Sequence, residues 1–439
     1  MTDRVSSHAM RILICLLIAL IPGFHTFAQS GTAYLTKDGS WCWFSDPRAI
    51  MINKNVITGW VKANGSIEAA MLDTRSDSIQ TCELYYKLEA DDHNNPAFVT
   101  TGQGEILVMY TRHGRKDLFI NTLADPKSKF EFTGAQLIHP FSDEEFEKYP
   151  RKTMTYANPI RIENENNRIY CFGRWTGFKP NMIWSDDGGA SWSKSRVFIT
   201  NYPFDINNRP YVKYYSDGKS RIHMVFTDGH PRDEPTNSVY YAYYEKGAFY
   251  KASGELICTM GQIPFEPKDA SVVYTSNPDE GRAWIADIGQ DEQNLPVILY
   301  TRSPTESHHE YWYAHYTGSG WSDHKICDSG KWFPQTPEGQ KEGEPHYFGG
   351  MALHPDHADI VYLSRQVNGV FEIERWETLD LGNSWKSEAI TENSLYDNVR
   401  PFIPWGLKAG AEEVVLWMEN QKYIHYTDFK TSLKYLIRQ

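Results

Sequence analysis

The sequence has almost no helical periodicity. Only Phe141–Glu147 has the makings of a short helix. That excludes a helical bundle and a sheet built from alternating strands and helices. There is no CxxC and no HExxH pattern, so a structural zinc site is not expected. Cysteine is scarce. Cys42, Cys82, Cys171, Cys258 and Cys327 follow residue 28, an odd and widely spaced set that is no disulfide framework. Their apolar, strand-like surroundings place most of them in the interior. Positive charge is also short: 44 Lys and Arg against 56 Asp and Glu leave a net charge of −12. That argues against nucleic acid or an anionic membrane as a bulk partner. An anionic substrate needs only a local cationic pocket, so it stays open. Long apolar runs are missing too. The one candidate, Ile12–Ile21, is too short to span a bilayer. Arg11 precedes it and Thr26-Phe27-Ala28 follows, which reads as a secretory signal peptide over residues 1–28, cleaved after Ala28. The expected location is secreted or periplasmic, without membrane insertion. No linker or compositional break divides the rest, so residues 29–439 read as a single domain.

Aromatic residues and turn formers are abundant: Trp 14, Tyr 27, Phe 21, Gly 31 and Pro 23. Short apolar runs recur about every ten residues between turn residues, among them Ala49-Ile-Met-Ile, Ile106-Leu-Val-Met-Tyr, Ile222-His-Met-Val-Phe, Val297-Ile-Leu-Tyr and Glu413-Val-Val-Leu-Trp. This is an all-β pattern, and a chain of this length suits a β-propeller better than a sandwich. Ser185-Asp-Asp187-Gly-Gly189-Ala-Ser-Trp192 fits the Asp-box hairpin S-x-D-x-G-x-x-W, and Thr378-Leu-Asp380-Leu-Gly382-Asn-Ser-Trp385 is a weaker second copy. In such a hairpin the Asp caps a tight turn, the Gly takes positive φ and the Trp plugs the turn. Asp187 and Asp380 are therefore structural. The separation of the two boxes implies several blades between them, with seven blades the first choice and six the second.

One stretch concentrates chemistry. Asp91-Asp92-His93-Asn94-Asn95-Pro96 precedes a strand that delivers Arg112-His113-Gly114. Two histidines, an asparagine and an arginine on one hairpin-sized segment are unusual for a plain scaffold. With Gly39-Ser-Trp-Cys-Trp-Phe-Ser-Asp-Pro-Arg-Ala49, Tyr156-Ala-Asn-Pro159, Phe172-Gly-Arg-Trp175, Asn208-Arg-Pro-Tyr-Val212 and Asp228-Gly-His-Pro-Arg232, the chain resembles a BNR-repeat-containing propeller family. That family holds ulvan lyases, rhamnose–glucuronate lyases and related α-L-rhamnosidases. The likeness to the lyases implies a catalytic set of two histidines, a tyrosine and an arginine, matched in order by His93, His113, Tyr156 and Arg174. It also implies substrate contacts from Arg209 and Tyr211. The rhamnosidases rely on a histidine in the Trp-Cys-Trp-Phe region, where this chain has Ser45-Asp46.

These residue types suit β-elimination from a uronic acid. Arg174 can grip a carboxylate through two charge-assisted bonds, and Asn94 can donate another. A neutral histidine serves as base near neutral pH. A tyrosine beside cations can have its pKa lowered and act as base or acid. Here His113 or Tyr156 is the expected base, Tyr156 the acid, and His93, Asn94 and Arg174 stabilise the intermediate. Each also has a plain structural reading: turn cap, loop histidine, core tyrosine, stacked arginine. His230 is divided between pocket rim and loop, as is the Glu344–Tyr347 segment. Arg365 and Arg400 are candidates to point into a central funnel. The scheme requires no cofactor or catalytic metal, and a structural calcium stays open. The expected partner is an anionic polysaccharide or oligosaccharide, met by a monomer. Two other functions compete: a glycoside hydrolase, which usually needs a carboxylate pair, and a non-catalytic glycan-binding propeller.

Overall fold

A computed structural model describes residues 31–126, 129–305, 308–330, 349–408 and 410–438. The expected signal peptide and the Glu344–Tyr347 segment lie outside the described residues. Seven antiparallel sheets form a ring, a seven-bladed β-propeller. Blade 1 runs Ala49–Ile52, Asn55–Val61, Ile67–Asp73 and Ser78–Tyr85. Blade 2 runs Ala97–Thr100, Ile106–Thr111, Leu118–Leu123 and Gln136–Ile138. Blade 3 runs Asn158–Ile162, Arg168–Arg174, Pro180–Ser185 and Arg196–Val197. Blade 4 begins Val212–Tyr215, Arg221–Thr227 and Val239–Glu245. Its outer side is shared by the hairpin Ala248–Tyr250/Leu256–Thr259 and by Ser271–Tyr274. Blade 5 starts at Arg282, blade 6 at Met351 and blade 7 at Asp397.

The N-terminal strand Ala33–Thr36 pairs with Asp428–Arg438 and completes blade 7. The Ala33–Thr36 segment and the Asp428–Arg438 segment thus share one sheet, which closes the ring, with Ala33–Thr36 on the outer edge of blade 7. A second clasp joins blades 1 and 7, where Met51 N donates to Trp405 O at 2.8 Å and Trp405 N to Ala49 O at 3.1 Å.

Burial falls from the axis outward, and the sequence follows it. Ile106–Thr111, second in its blade, is buried at every position, so it reads as an unbroken apolar run. Ser78–Tyr85, fourth in its blade, is mostly exposed and polar. The helix expected near Phe141 occupies Asp143–Lys148, capped by the Ser142 side chain.

The two S/T-x-D-x-G-x-x-W segments make the same turn, in blades 3 and 6. Ser191 N donates to Asp187 Oδ1 at 2.9 Å, and Trp192 Nε1 to Gly189 O at 3.0 Å. Ser384 N and Trp385 Nε1 repeat this with Asp380 and Gly382 at 2.8 and 3.0 Å. Both glycines have left-handed backbones, with φ of 100° and 94°. A Cβ on Gly189 would meet Leu107 of blade 2, and one on Gly382 would meet Tyr313 of blade 5. Each turn is therefore also a contact with the preceding blade.

Candidate active site

Antiparallel blades sort their connections onto two faces. The links between second and third strands, and the links into each next blade, open on one face. The other two kinds open opposite. The segments carrying His93, His113, Tyr156 and Arg174 fall on the first kind, and the two turns at Asp187 and Asp380 on the second. His93 lies four residues before Ala97, whose cross-strand partner Met109 lies four residues before His113. Tyr156 lies three residues before Pro159, whose partner Cys171 lies three residues before Arg174. The pairs His93/His113 and Tyr156/Arg174 therefore hold equivalent positions in successive blades. Blade 4 adds Tyr211, just before its first strand, and His230, just after its second.

These side chains form one contiguous chain of contacts. The His93 and His113 rings stack at 4.0 Å, tilted by 15°. His93 lies 5.6 Å from the Tyr156 ring. The Arg174 guanidinium is 5.3 Å from Tyr156 and 4.8 Å from Tyr211. Tyr211 meets His230 edge-on at 5.4 Å, and Trp284 lies behind both. Phe44, from the link into blade 1, packs under Tyr156 and Tyr211.

The backbone here is held away from ordinary geometry. Asp92–Asn94 form a 3-10 turn, and Asp91 caps it by accepting from His93 N at 3.0 Å. Asn95 Oδ1 accepts from Cys42 N at 3.0 Å, and Asn158 Oδ1 from Asp46 N at 2.9 Å. The asparagines before Pro96 and Pro159 thus tie the links of blades 1, 2 and 3 together. Tyr156 has φ of 71°, left-handed for a bulky residue, and its carbonyl is held by Trp175 Nε1 at 3.0 Å. Such strain concentrates at functional positions.

Asp91 bridges the two imidazoles. Its Oδ1 lies 2.7 Å from His93 Nδ1 and its Oδ2 2.9 Å from His113 Nδ1. Burial works against its charge, but His93 and His113 outweigh burial and hold its pKa well below the usual carboxylate range. The two imidazoles are driven apart. Burial, the neighbouring His93 charge and Arg174 push His113 down to about 4, against the pull of Asp91. Burial also opposes charge on His93, but Cys42, Asp91 and Asp92 more than offset it and raise its pKa well above the ordinary value. Burial keeps Cys42 a thiol, so the two carboxylates carry that shift. The two shifts run in opposite directions, so His93 holds its second proton to higher pH than His113 does.

Tyr156 departs from expectation. Burial, with smaller contributions from Cys42 and Tyr211, raises its pKa well above 10 and outweighs the Arg174 charge. Low dielectric disfavours a phenolate more than one nearby cation favours it. Tyr156 is therefore held protonated. Its hydroxyl has no hydrogen-bond partner among the described residues. Arg174 differs as well. Its Nη1 donates to the Tyr211 hydroxyl and its Nε is buried without a partner. The second Nη1 hydrogen and the Nη2 hydrogens are left for a two-pronged grip on a carboxylate.

Asn94, expected to contact substrate, is wholly buried. Its amide donates to Glu89 Oε2 at 3.2 Å, and Glu89 also receives His113 N at 3.3 Å. It supports the histidine loop from beneath. Arg209 lies over Phe178 at 4.7 Å, beside Arg174, which approaches the same ring at 5.9 Å. His230 is buried and neutral, its pKa driven well down by burial and nearby arginines. Arg112 pairs with Asp117, and Arg365 with Glu374, so neither enters the site.

Blade 7 supplies Arg400, a funnel candidate from the sequence, and two tyrosines, Tyr423 and Tyr426, that the sequence did not flag. Arg400 donates to Asp92 Oδ2 at 2.7 Å and lies 3.7 Å over Trp43. Tyr423 donates to the same Asp92 oxygen. Tyr426 sets its ring edge-on to His93 at 4.7 Å and His113 at 5.2 Å, and its carbonyl accepts from Asp92 N at 3.0 Å.

Two groupings have the atoms to hold a cation: Cys42, Asp92 and His93, and Asp91, His93 and His113. Both Asp91 oxygens are engaged by the imidazoles and Asp92 Oδ2 by Arg400 and Tyr423, while Asp92 Oδ1 is buried without a hydrogen-bond partner among the described residues. An ion between Asp91, His93 and His113 has to displace the bonds to the imidazoles. The geometry as it stands reads as a hydrogen-bonded network.

Among the curated proteins compared, none matches this chain. Among solved structures, an ulvan lyase bound to -[GlcA(1-4)Rha3S]- superposes with a TM-score of 0.67 at 12% identity, over 92% of this chain and 95% of that one. The polysaccharide lyase Uly1 superposes with a TM-score of 0.59 at 12% identity, over 92% and 97%. At that identity the likeness shows the fold. The model of the BNR repeat-containing family matches residues 57–329, which spans blades 1 to 5 and with them His93, His113, Tyr156, Arg174, Tyr211 and His230. The chain belongs to the BNR repeat-containing family.

Proposed function

We propose that this propeller is a secreted polysaccharide lyase that cleaves a uronic-acid-containing glycan by β-elimination. One observation carries the reading: a neutral and a charged imidazole stand stacked beside a protonated tyrosine and an arginine. These are the groups elimination needs. His113 Nε2 takes the C5 proton. The C5–H electrons form the C4=C5 double bond, and the C4–O bond breaks with its electrons on oxygen. Tyr156 gives its proton to that oxygen. Arg174 and the His93 imidazolium offset the uronate carboxylate and the charge that builds on it. Both cations stand in a protein of net charge −12, so the local pocket, not the bulk surface, recruits the anion. The solved ulvan lyase bound to a GlcA–Rha3S chain makes a rhamnose-linked uronate the first substrate to try.

The hydrolase reading is weaker because it needs two working carboxylates. The carboxylates nearest the imidazoles are already engaged, Asp91 with both rings, Asp92 with Arg400 and Tyr423, and Glu89 with Asn94 and His113 N. The test is to offer the purified protein ulvan-type and other uronate polymers and follow ultraviolet absorbance. An unsaturated uronyl end supports elimination. A new reducing end that stays saturated supports hydrolysis, and binding without either product supports a lectin-like role.

A further inference from the structure

We propose that Asp91 is the positioning residue of this site, a single carboxylate that holds both imidazoles by Nδ1 and so leaves both Nε2 atoms for the substrate. The catalytic consequence rests on the lyase reading above; the positioning does not.

The argument is one of donors and acceptors. An ionised carboxylate only accepts hydrogen bonds. Oδ1 and Oδ2 of Asp91 each face one Nδ1, at 2.7 and 2.9 Å. Both imidazoles must therefore carry a proton on Nδ1. Neither Nε2 has a hydrogen-bond partner among the described residues. A ring fixed in this way is a base at Nε2 when neutral and a donor at Nε2 when charged.

The stack adds a second constraint. Two charged rings 4.0 Å apart repel by a few kcal/mol at protein-like dielectric, roughly 4 at an effective constant of 20. The pair therefore carries one extra proton, not two. Asp92 and Arg400 flank His93, while Arg174 and Glu89 flank His113. The carboxylate of Asp92 favours the charge on His93. Asp91 thus makes two like residues into an unlike pair, one Nε2 base beside one Nε2–H donor. Asp91 is itself 4% exposed, and Tyr426 from blade 7 walls the rings in edge-on. The carboxylate acts only through the histidines.

Asp91→Asn separates this role from bulk structure. The amide keeps its shape and an acceptor for His93 N. Its nitrogen, however, donates, so one imidazole has to accept at Nδ1 and move its own proton to Nε2. Nitrogen-15 NMR of histidine-labelled protein reads this directly, with His93→Gln and His113→Gln for assignment. In the wild type, His113 is expected as the Nδ1–H tautomer with bare Nε2, and His93 as doubly protonated. In Asp91→Asn, one ring is expected to carry its neutral proton on Nε2, with kcat on a uronate polymer down about 10²–10⁴-fold. Wild-type His113 found as the Nε2–H tautomer overturns the proposal, with no variant needed. So does an Asp91→Asn protein with unchanged tautomers and unchanged kcat. If the tautomers are as expected but no uronate polymer is cleaved, the positioning role stands and the lyase reading fails.

Discussion

The two mouths of the ring are built from the same kinds of residue and use them in opposite ways. The face opposite the histidines has the room. A cavity of about 230 Å³ lies there, bordered by Asp217, Asp291, Asp356, Lys408 and Trp405. Its polar groups serve its own loops. Asp291 Oδ1 accepts from Gln293 N and Leu295 N at 2.9 and 2.8 Å, and its Oδ2 meets His315 at 2.7 Å. Asp217 caps Lys219 N at 2.9 Å, and the Tyr215 hydroxyl donates to Pro355 O at 2.8 Å. On the histidine face the cavity beneath Arg174 holds only about 10 Å³, and one of about 140 Å³ lies apart from it, bordered by Asn277, Arg282 and Ser303. Yet there Nε2 of both histidines and the Tyr156 hydroxyl have no partner among the described residues. On the reading proposed above, unspent hydrogen-bonding capacity rather than volume marks the chemical face. Groups that folding has satisfied have little left for a ligand.

Removing the unspent groups gives the largest effect. His113→Ala and Tyr156→Phe are each expected to lower kcat on a uronate polymer by about 10²–10⁴-fold, the usual worth of a general acid or base. The double variant should be little worse than either alone, since both act in one step. Steady-state kinetics with circular dichroism as a folding control checks this. Activity within twofold of wild type in both variants would erase the contrast between the faces. Arg174→Lys comes next. It keeps the charge but loses the planar fork and its bond to Tyr211. A charge-assisted bond of about 1.5–3 kcal/mol corresponds to a loss of roughly 10- to 150-fold in kcat/KM.

The pH dependence follows from the split between the imidazoles. Activity requires neutral His113, so it should rise as pH climbs through about 4. It requires charged His93, so it should fall at high pH, above the ordinary histidine range. Stability carries opposite signs for the two. The folded pKa of His93 lies above the unfolded value. Its contribution is therefore full below the unfolded pKa and is lost as pH rises through the folded one. The folded pKa of His113 is lowered, so the unfolded chain binds more protons between about 4 and 6.5, and stability is lost as pH falls through that window. Asp91, also depressed, adds to the acid-side loss below the ordinary carboxylate pKa. A pH–rate profile of kcat/KM, paired with melting temperatures, checks all three. A single rising limb near 6.5 would mean the stack does not divide the two histidines.

Much of the ring was legible because burial leaves a local trace. The first and second strands of a blade are covered on both sides, so they show as unbroken apolar runs such as Ile106–Tyr110. The turns at Asp187 and Asp380 are local hydrogen-bond motifs, readable at a spacing of a few residues. His93 and His113 stood out because one short segment carries both, whereas Tyr156 and Arg174 were picked out only through the family resemblance. Blade 7 was not legible. Ring closure brings Tyr423 to Asp92 across 331 residues, and no spacing rule spans that distance. Asp91 had a signal, two residues from His93, but a turn cap explained it equally well, and it is one. The lowered tyrosine pKa failed for a different reason. Sequence shows which charges are near Tyr156 but not that its hydroxyl is desolvated, and desolvation decided the sign.

The smallest effect on activity should come from the roomier face, and it is the sharpest check of the contrast. Asp291→Asn keeps the side chain's shape and one acceptor for the turn but weakens its hydrogen bond with His315. Activity should stay within about twofold, with stability lower by about 1 kcal/mol, the net worth of a typical hydrogen bond. Trp405→Ala presses harder. Its ring is half-buried and packs against apolar clusters from several blades, and its backbone clasps blade 1. A loss of about 3–5 kcal/mol is expected from the emptied space, with kcat per folded molecule unchanged. Chemical denaturation beside active-site titration separates the two quantities. If either substitution lowers kcat as far as His113→Ala does while the protein stays folded, the wide mouth is part of the reaction, and free hydrogen-bonding groups are not the mark that distinguishes the two ends.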